Sequence, residues 1–231
     1  MKTLNTVLPA GIVAFLAIGG ISLRADTAAE RLTESATALS EIMSAPDKGI
    51  PQDLLADAHC VVIVPGVKKV AFVVGGKYGR GFIVCRRSSN VGWGAPAAVR
   101  MEGGSIGWQI GGSETDVVML VMDQRGMQRL LQSKFTLGGS AEVAAGPVGR
   151  TSSAETDAKM RAKILTYSRS RGVFAGVSLG GATLRQDLDQ NKEMYGRPLT
   201  NSQIVMTRVK PPASASGLLS ALNRSSRHES K

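Results

Sequence analysis

Between residues 26 and 44, apolar side chains recur at Leu32, Ala36, Leu39 and Met43, a spacing that places them on one face of a helix. Glu30, Arg31, Glu34 and Glu41 occupy the other face. A membrane-surface helix would be richer in Lys and Arg there, so the pattern predicts a helix packed on its own domain. Pro51 opens a second, short helical turn through Leu54, Leu55 and Ala58. From His59 the period becomes that of strands. Residues 61–64 form a buried-looking run closed by Pro65 and Gly66, and residues 70–74 and 81–85 flank a glycine-rich hairpin connection at 75–80. Further strands are expected at 97–101, 105–110 and 116–122, separated by the glycine pairs 103/104 and 111/112 as in an antiparallel meander.

The second half reads as a short helix over 124–133 and a glycine-rich extended segment over 135–148. Two strands follow, 159–166 and 173–179, meeting at the loop 168–172, and then a helix over 184–195. Residues 210–231, which begin P-P-A-S-A-S-G and end basic and serine-rich, are expected to form a flexible tail. At the other end, an uncharged stretch from Thr3 to Leu23 lies between Lys2 and Arg24 and is strongly apolar from Val7. It predicts an export signal over 1–25, with an uncleaved N-terminal anchor as the alternative, since about 17 apolar residues is the lower limit for a spanning helix.

Composition narrows this outline to one folded domain over residues 26–209. Glycine supplies 27 of 231 residues, yet 43% are hydrophobic, so the glycines imply tight turns and close backbone approaches within a packed core. The formal charge is +10, and without residues 1–25 there remain 26 basic against 18 acidic side chains. Such an excess favours nucleic acid, anionic lipid or an acidic protein surface. Nucleic acid is not expected, because three Tyr, five Phe and two Trp leave few stacking platforms beside the cations.

Specific chemistries fare poorly. G-x-S-x-G occurs at 176–180 and again at 103–107, and the first would make Ser178 a hydrolase nucleophile. That elbow needs a helix directly after it and a later acid and histidine, whereas the next stretch is apolar and the later histidine is His228 in the tail. Gly76 and Lys77 are followed by Tyr78, so no phosphate loop of the Walker type exists. His59 and Cys60 are strand neighbours that point to opposite faces, unsuited to sharing a metal. No cofactor is expected. Cys60 and Cys85 sit on separate expected strands and read equally as a disulfide or as two small core residues.

What remains is basic and distributed at strand ends and loops. Lys68 and Lys69 follow the Pro65–Gly66 turn, Lys77 and Arg80 lie in the hairpin connection, and Arg86 and Arg87 end its second strand. Arg150 closes the glycine-rich segment, and Arg169 and Arg171 precede Gly172. The candidate phosphate-binding set is Lys68, Lys69, Lys77, Arg80, Arg150, Arg169 and Arg171, which would act together if they gather on one side. Scattered, they would serve only solubility.

These residues also fall in motifs. V-V-I-V-P at 61–65, G-G-K-Y-G-R-G at 75–81, W-G-A-P at 93–96, G-W-Q-I-G at 107–111 and T-D-V-V at 115–118 are followed by L-G-G at 137–139, A-A-G-P-V-G-R at 144–150 and Y-S-R-S-R-G-V-F-A-G-V-S-L at 167–179. Together they resemble the SYLF domain family, also called the Ysc84 actin-binding domain, over about residues 28–200. The resemblance implies a lipid-binding module. Relatives in eukaryotes bind phosphoinositides and some bind actin, while exported bacterial relatives, the branch this chain resembles, are described as lipid-binding; actin is therefore not the expected partner. The family commonly has Glu where this chain has Gly180, a single replacement that creates the G-x-S-x-G look-alike.

The expectation is thus an α+β domain: a glycine-rich antiparallel sheet curved into a sandwich or partial barrel, flanked by N- and C-terminal helices. Its expected function is non-catalytic binding of anionic phospholipid or a membrane surface in the periplasm or envelope. A protein-interaction or structural envelope module is the alternative.

Overall fold

The computed structural model describes residues 26–45, 49–87, 92–137, 143–148, 162–170, 173–176, 179 and 181–226. Residues 1–25, Arg150, Arg171 and Ser178 lie outside this set.

The first helix, α1 (Ala28–Ser44), starts at a capping box in which Thr27 and Glu30 satisfy each other's backbone N–H groups. Its buried face is Leu32, Leu39 and Ile42, flanked by Ala28, Ser35 and Ala38. Ala36 and Met43 pack only at its margin, so the apolar stripe is turned by about one residue from the expected one. A short helix, α2 (Gln52–Asp57), then delivers the chain to the sheet.

Two long strands, β1 (Cys60–Cys85) and β2 (Ala97–Val121), run antiparallel from Cys60 opposite Val121 to Ile83 opposite Ala97, with irregularities at Val64/Val67 and Ala71/Val73. This corrects the expected meander. Residues 75–80 are not a hairpin connection but pair with residues 100–105, and both glycine pairs of β2 lie within the ladder. The glycines mark close approach instead of chain reversal. β1 bends back on itself, so that a Cβ at Gly81 would lie 2.0 Å from the Ile63 carbonyl oxygen. At the open ends of the bend, Cys60 and Cys85 are joined by a disulfide with Cα atoms 3.9 Å apart, and the Arg86 N–H donates to the His59 carbonyl at 2.8 Å.

Around this ribbon the sheet runs β3 (Lys134–Thr136), β7 (Ala182–Gln186), β2, β5 (Ile164–Ser170), β4 (Val143–Ala145), with β6 (Val173–Gly176) also on β5. The β4–β5 pair is parallel and the other pairs are antiparallel. The result is a curled sheet, a half-barrel, with helices from both ends of the sequence. Both faces are buried. Val61, Ile63, Val118 and Leu120 join the core under α1, whereas Cys60, Val62, Val64 and Met119 join a second core on the opposite face. That explains the continuous apolar run at 61–64, where a half-exposed strand would alternate.

The second half departs from expectation in two places. Leu184 belongs to β7, opposite Met101 and Phe135, and the helix there is the shorter α4 (Leu188–Tyr195), capped by Asp187; the short helices α3 (Gln124–Leu130) and α5 (Asn201–Met206) precede and follow it. Asn191 of α4 and Asn201 of α5 are both buried and tie the two helices to Ala98 of β2 by three bonds of 2.7–3.0 Å. Nor do residues 210–226 form a flexible tail. Residues 216–225 form α6 (Ser216–Ser225), which buries Leu218, Ala221 and Leu222 in the core beneath α1. Their spacing of three and four residues is the helical signal that the serine-rich composition obscures. The Trp93 indole N–H, donating to Ser226 Oγ at 3.0 Å, fixes its end.

Candidate functional site

The bend of β1 and the first turns of α1 enclose a groove of about 440 Å³ whose lining includes three of the seven expected cations. Lys68 and Arg80 line it together with Arg31, Arg169 and the exposed Tyr78. Asp26, Glu34, Glu114 and Asp116 line it as well, so the groove carries both signs of charge.

The arginines have structural partners. Arg169 lies on β5, not in a loop, because β5 continues past the expected boundary and pairs with β6. It stands opposite Asp116 across the ladder, and both its Nε and Nη2 donate to Asp116 Oδ2, at 3.1 and 2.7 Å. Asp116 Oδ1 accepts from the Gly66 N–H at 2.9 Å, holding a turn at φ +56° where a side chain would meet Glu114. A further ion pair joins Arg169 to Glu41 of α1. Burial alone would lower the Arg169 pKa, but the bonds and charges of Asp116 and Glu41 outweigh it and leave it raised. Arg80 points to Asp187, whose carboxylate lies 3.0 Å away and is almost fully buried. Two of the candidate arginines therefore clamp the fold. The reading from sequence missed this because it counted cations without the acids that the ladder sets against them.

The lysines differ. Lys68, Lys69 and Lys77 all lie on the bend, between the buried stretches of β1, and form no ion pair among the described residues. Lys68 is exposed and the other two are half-buried. Tyr78, beside Lys77, is 47% exposed. Across the groove, Glu34 is held above the ordinary carboxylate range, first by burial and then by Asp26, Glu114 and Glu30, with Arg31 opposing.

A second depression, about 740 Å³, opens at the disulfide end between the end of β1, α3 and the residues after α5. Sequence reasoning did not assemble it, since the cations of its far wall, Arg208 and Lys210, stand where a tail was expected to begin. Arg86 lines it but is committed to the frame. It donates to the carbonyls of Leu55, Ala56 and Ala58, its guanidinium lies 4.4 Å from the Trp93 ring centre, and burial lowers its pKa against the opposing charge of Asp57.

The hydrolase geometry does not form among the described residues. Gly103 to Ser105 are paired inside β2, and the next described element after β6 is the strand β7, where an elbow requires a helix. Among the described residues no group of three or more His, Cys, Asp or Glu is placed to hold a metal, and no described helix is long and apolar enough to cross a membrane.

The described residues thus form a curled sheet with charged depressions at the bend and at the disulfide end. The chain belongs to the Ysc84 family, described as Las17-binding protein actin regulator, whose pattern matches residues 102–225. It is 36% identical over 177 residues to an SH3 domain-containing protein of Schizosaccharomyces pombe, covering 75% of this chain and 41% of that one. It is 34% identical to LAS seventeen-binding protein 3 of Saccharomyces cerevisiae (76% and 39% covered) and 33% identical to human SH3 domain-containing YSC84-like protein 1 (77% and 52%). The chain thus spans about two-fifths to one half of these relatives. The family description and these names are those of binding and regulatory proteins, and none names a reaction.

Proposed function

We propose that this protein is a non-catalytic domain that binds anionic phospholipid surfaces through Lys68, Lys69 and Lys77 on the bend of β1. The observation that carries the reading is the contrast in partners: these lysines form no ion pair among the described residues, while Arg80 and Arg169 are held by acids. An ammonium on a flexible stem suits a headgroup layer, and each one near such a surface contributes about 1 kcal/mol. Tyr78 adds an amphipathic ring of the kind that sits at headgroup level. Export to a periplasm or envelope, through the N-terminal segment, belongs to this reading.

A second reading, a protein-interaction module, draws on the family description and on a groove lined by both signs of charge. Sedimentation with vesicles separates the two. Binding to phosphatidylserine-containing vesicles that fades with salt, and is lost in Lys68→Glu/Lys69→Glu/Lys77→Glu, supports the lipid reading. Equal binding to neutral phosphatidylcholine vesicles overturns it. Capture of actin or another protein without lipid favours the second reading.

A further inference from the structure

The disulfide-end cleft is separate from the lysine-bearing bend and has a different chemistry. Its floor and one wall are apolar: Met127 of α3, Val205 and Met206 of α5, and Val209 beyond it. Met206 is 51% exposed, although it is a large apolar side chain at the mouth of a cavity. Its rim is cationic. Arg87 stands at the end of β1, Arg208 and Lys210 beyond α5, and no aspartate or glutamate is among the described residues that line it. The bend groove of this same protein has four acids in its lining, so the absence of acids here is not a general property of its surface.

Two details bear on ligand binding. Arg87 donates from Nε to the Trp93 carbonyl at 3.1 Å, which fixes the direction of the guanidinium while leaving its Nη groups without a protein partner among the described residues. Arg208 has a left-handed backbone, φ +54°, the one non-glycine residue with positive φ among those described. The position just past a helix end ordinarily takes glycine, and an arginine there is strained.

From this geometry we infer that the cleft binds a single-chain anionic amphiphile, a carboxylate or phosphate head on one acyl chain. The head pairs with Arg87 and Lys210, and the chain lies along Met127, Val205, Met206 and Val209. A cleft of 740 Å³ is within the usual size for a small-ligand site. The combination selects against the alternatives: a free phosphate makes no use of the apolar wall, and a neutral lipid makes none of the cations.

The test uses the whole protein and 11-(dansylamino)undecanoic acid, whose fluorescence rises in apolar surroundings, below its micelle concentration. Laurate and lysophosphatidic acid should displace the probe, whereas dodecanol and inorganic phosphate should each do so about tenfold less well or worse. Arg87→Gln/Lys210→Gln should weaken the probe about tenfold. Met206→Asp, on an exposed position, should weaken laurate as well. Both variants should keep the vesicle binding that depends on the bend lysines, so failure here and failure of the proposed function are distinguishable. Displacement by dodecanol as strong as by laurate, or probe binding unchanged in both variants, would overturn the inference.

Discussion

The bend groove and the disulfide-end cleft are both lined by lysine and arginine, yet they are opposite kinds of surface. In the groove Asp116 and Glu41 hold Arg169, and Asp187 holds Arg80, so the cations there mostly join elements of the fold. The cleft has no acid among its described lining residues, and its cations share that lining with Met127, Val205, Met206 and Val209. A count of positive charges therefore does not locate an anion site; what each charge already faces does. The same rule divides the bend itself, setting Lys68, Lys69 and Lys77, which form no ion pair among the described residues, apart from the paired Arg80 and Arg169.

The largest effect is expected from the disulfide, which closes β1 beside the cleft. Cys60→Ala/Cys85→Ala releases a closure across 25 residues and should cost about 3–4 kcal/mol in denaturant unfolding, with the amphiphile site lost before the bend site. Equal stability after reduction would contradict this. Next comes Arg80→Ala, which leaves the buried Asp187 carboxylate without its cation and should cost about 3 kcal/mol. An unchanged Tm would return Arg80 to the binding set. Arg169→Ala should cost about 2 kcal/mol through its bonds to Asp116, and urea unfolding reads it directly.

The smallest effect concerns Glu34. Its raised pKa means that the folded state favours the protonated form. The stability so contributed is full below the unfolded carboxylate range and is lost as pH rises through the folded value. Glu34→Gln should therefore raise Tm slightly at about pH 7 and leave it unchanged near pH 3, the reverse of what a stabilising ion pair would give.

Much of the architecture is legible in the sequence because it rests on short-range pattern. The α1 stripe, the buried run at 61–64 and the short helix after Asp123 follow from periodicity. Glycine was ambiguous. At 75–81 and 103–104 it reads as a turn, but only three-dimensional crossing shows that Gly81 is needed where β1 passes over Ile63. The α6 helix was hidden for a different reason: its apolar residues are few, and α1, nearly two hundred residues earlier, supplies the surface that orders them. The site suffered from the same blindness to long-range partners. Arg169 and Asp116 are 53 residues apart, so a chemically exact pairing across a ladder leaves no local trace.

The division between free lysines and paired arginines is tested most directly by vesicle sedimentation with phosphatidylserine, comparing Lys68→Glu/Lys69→Glu/Lys77→Glu with Arg169→Ala under conditions where both are folded. The lysine variant should lose about a hundredfold in affinity, from about 1 kcal/mol per residue, while Arg169→Ala stays within about threefold of the parent. The reverse order, with the arginine variant losing binding and the lysine variant retaining it, would contradict the account.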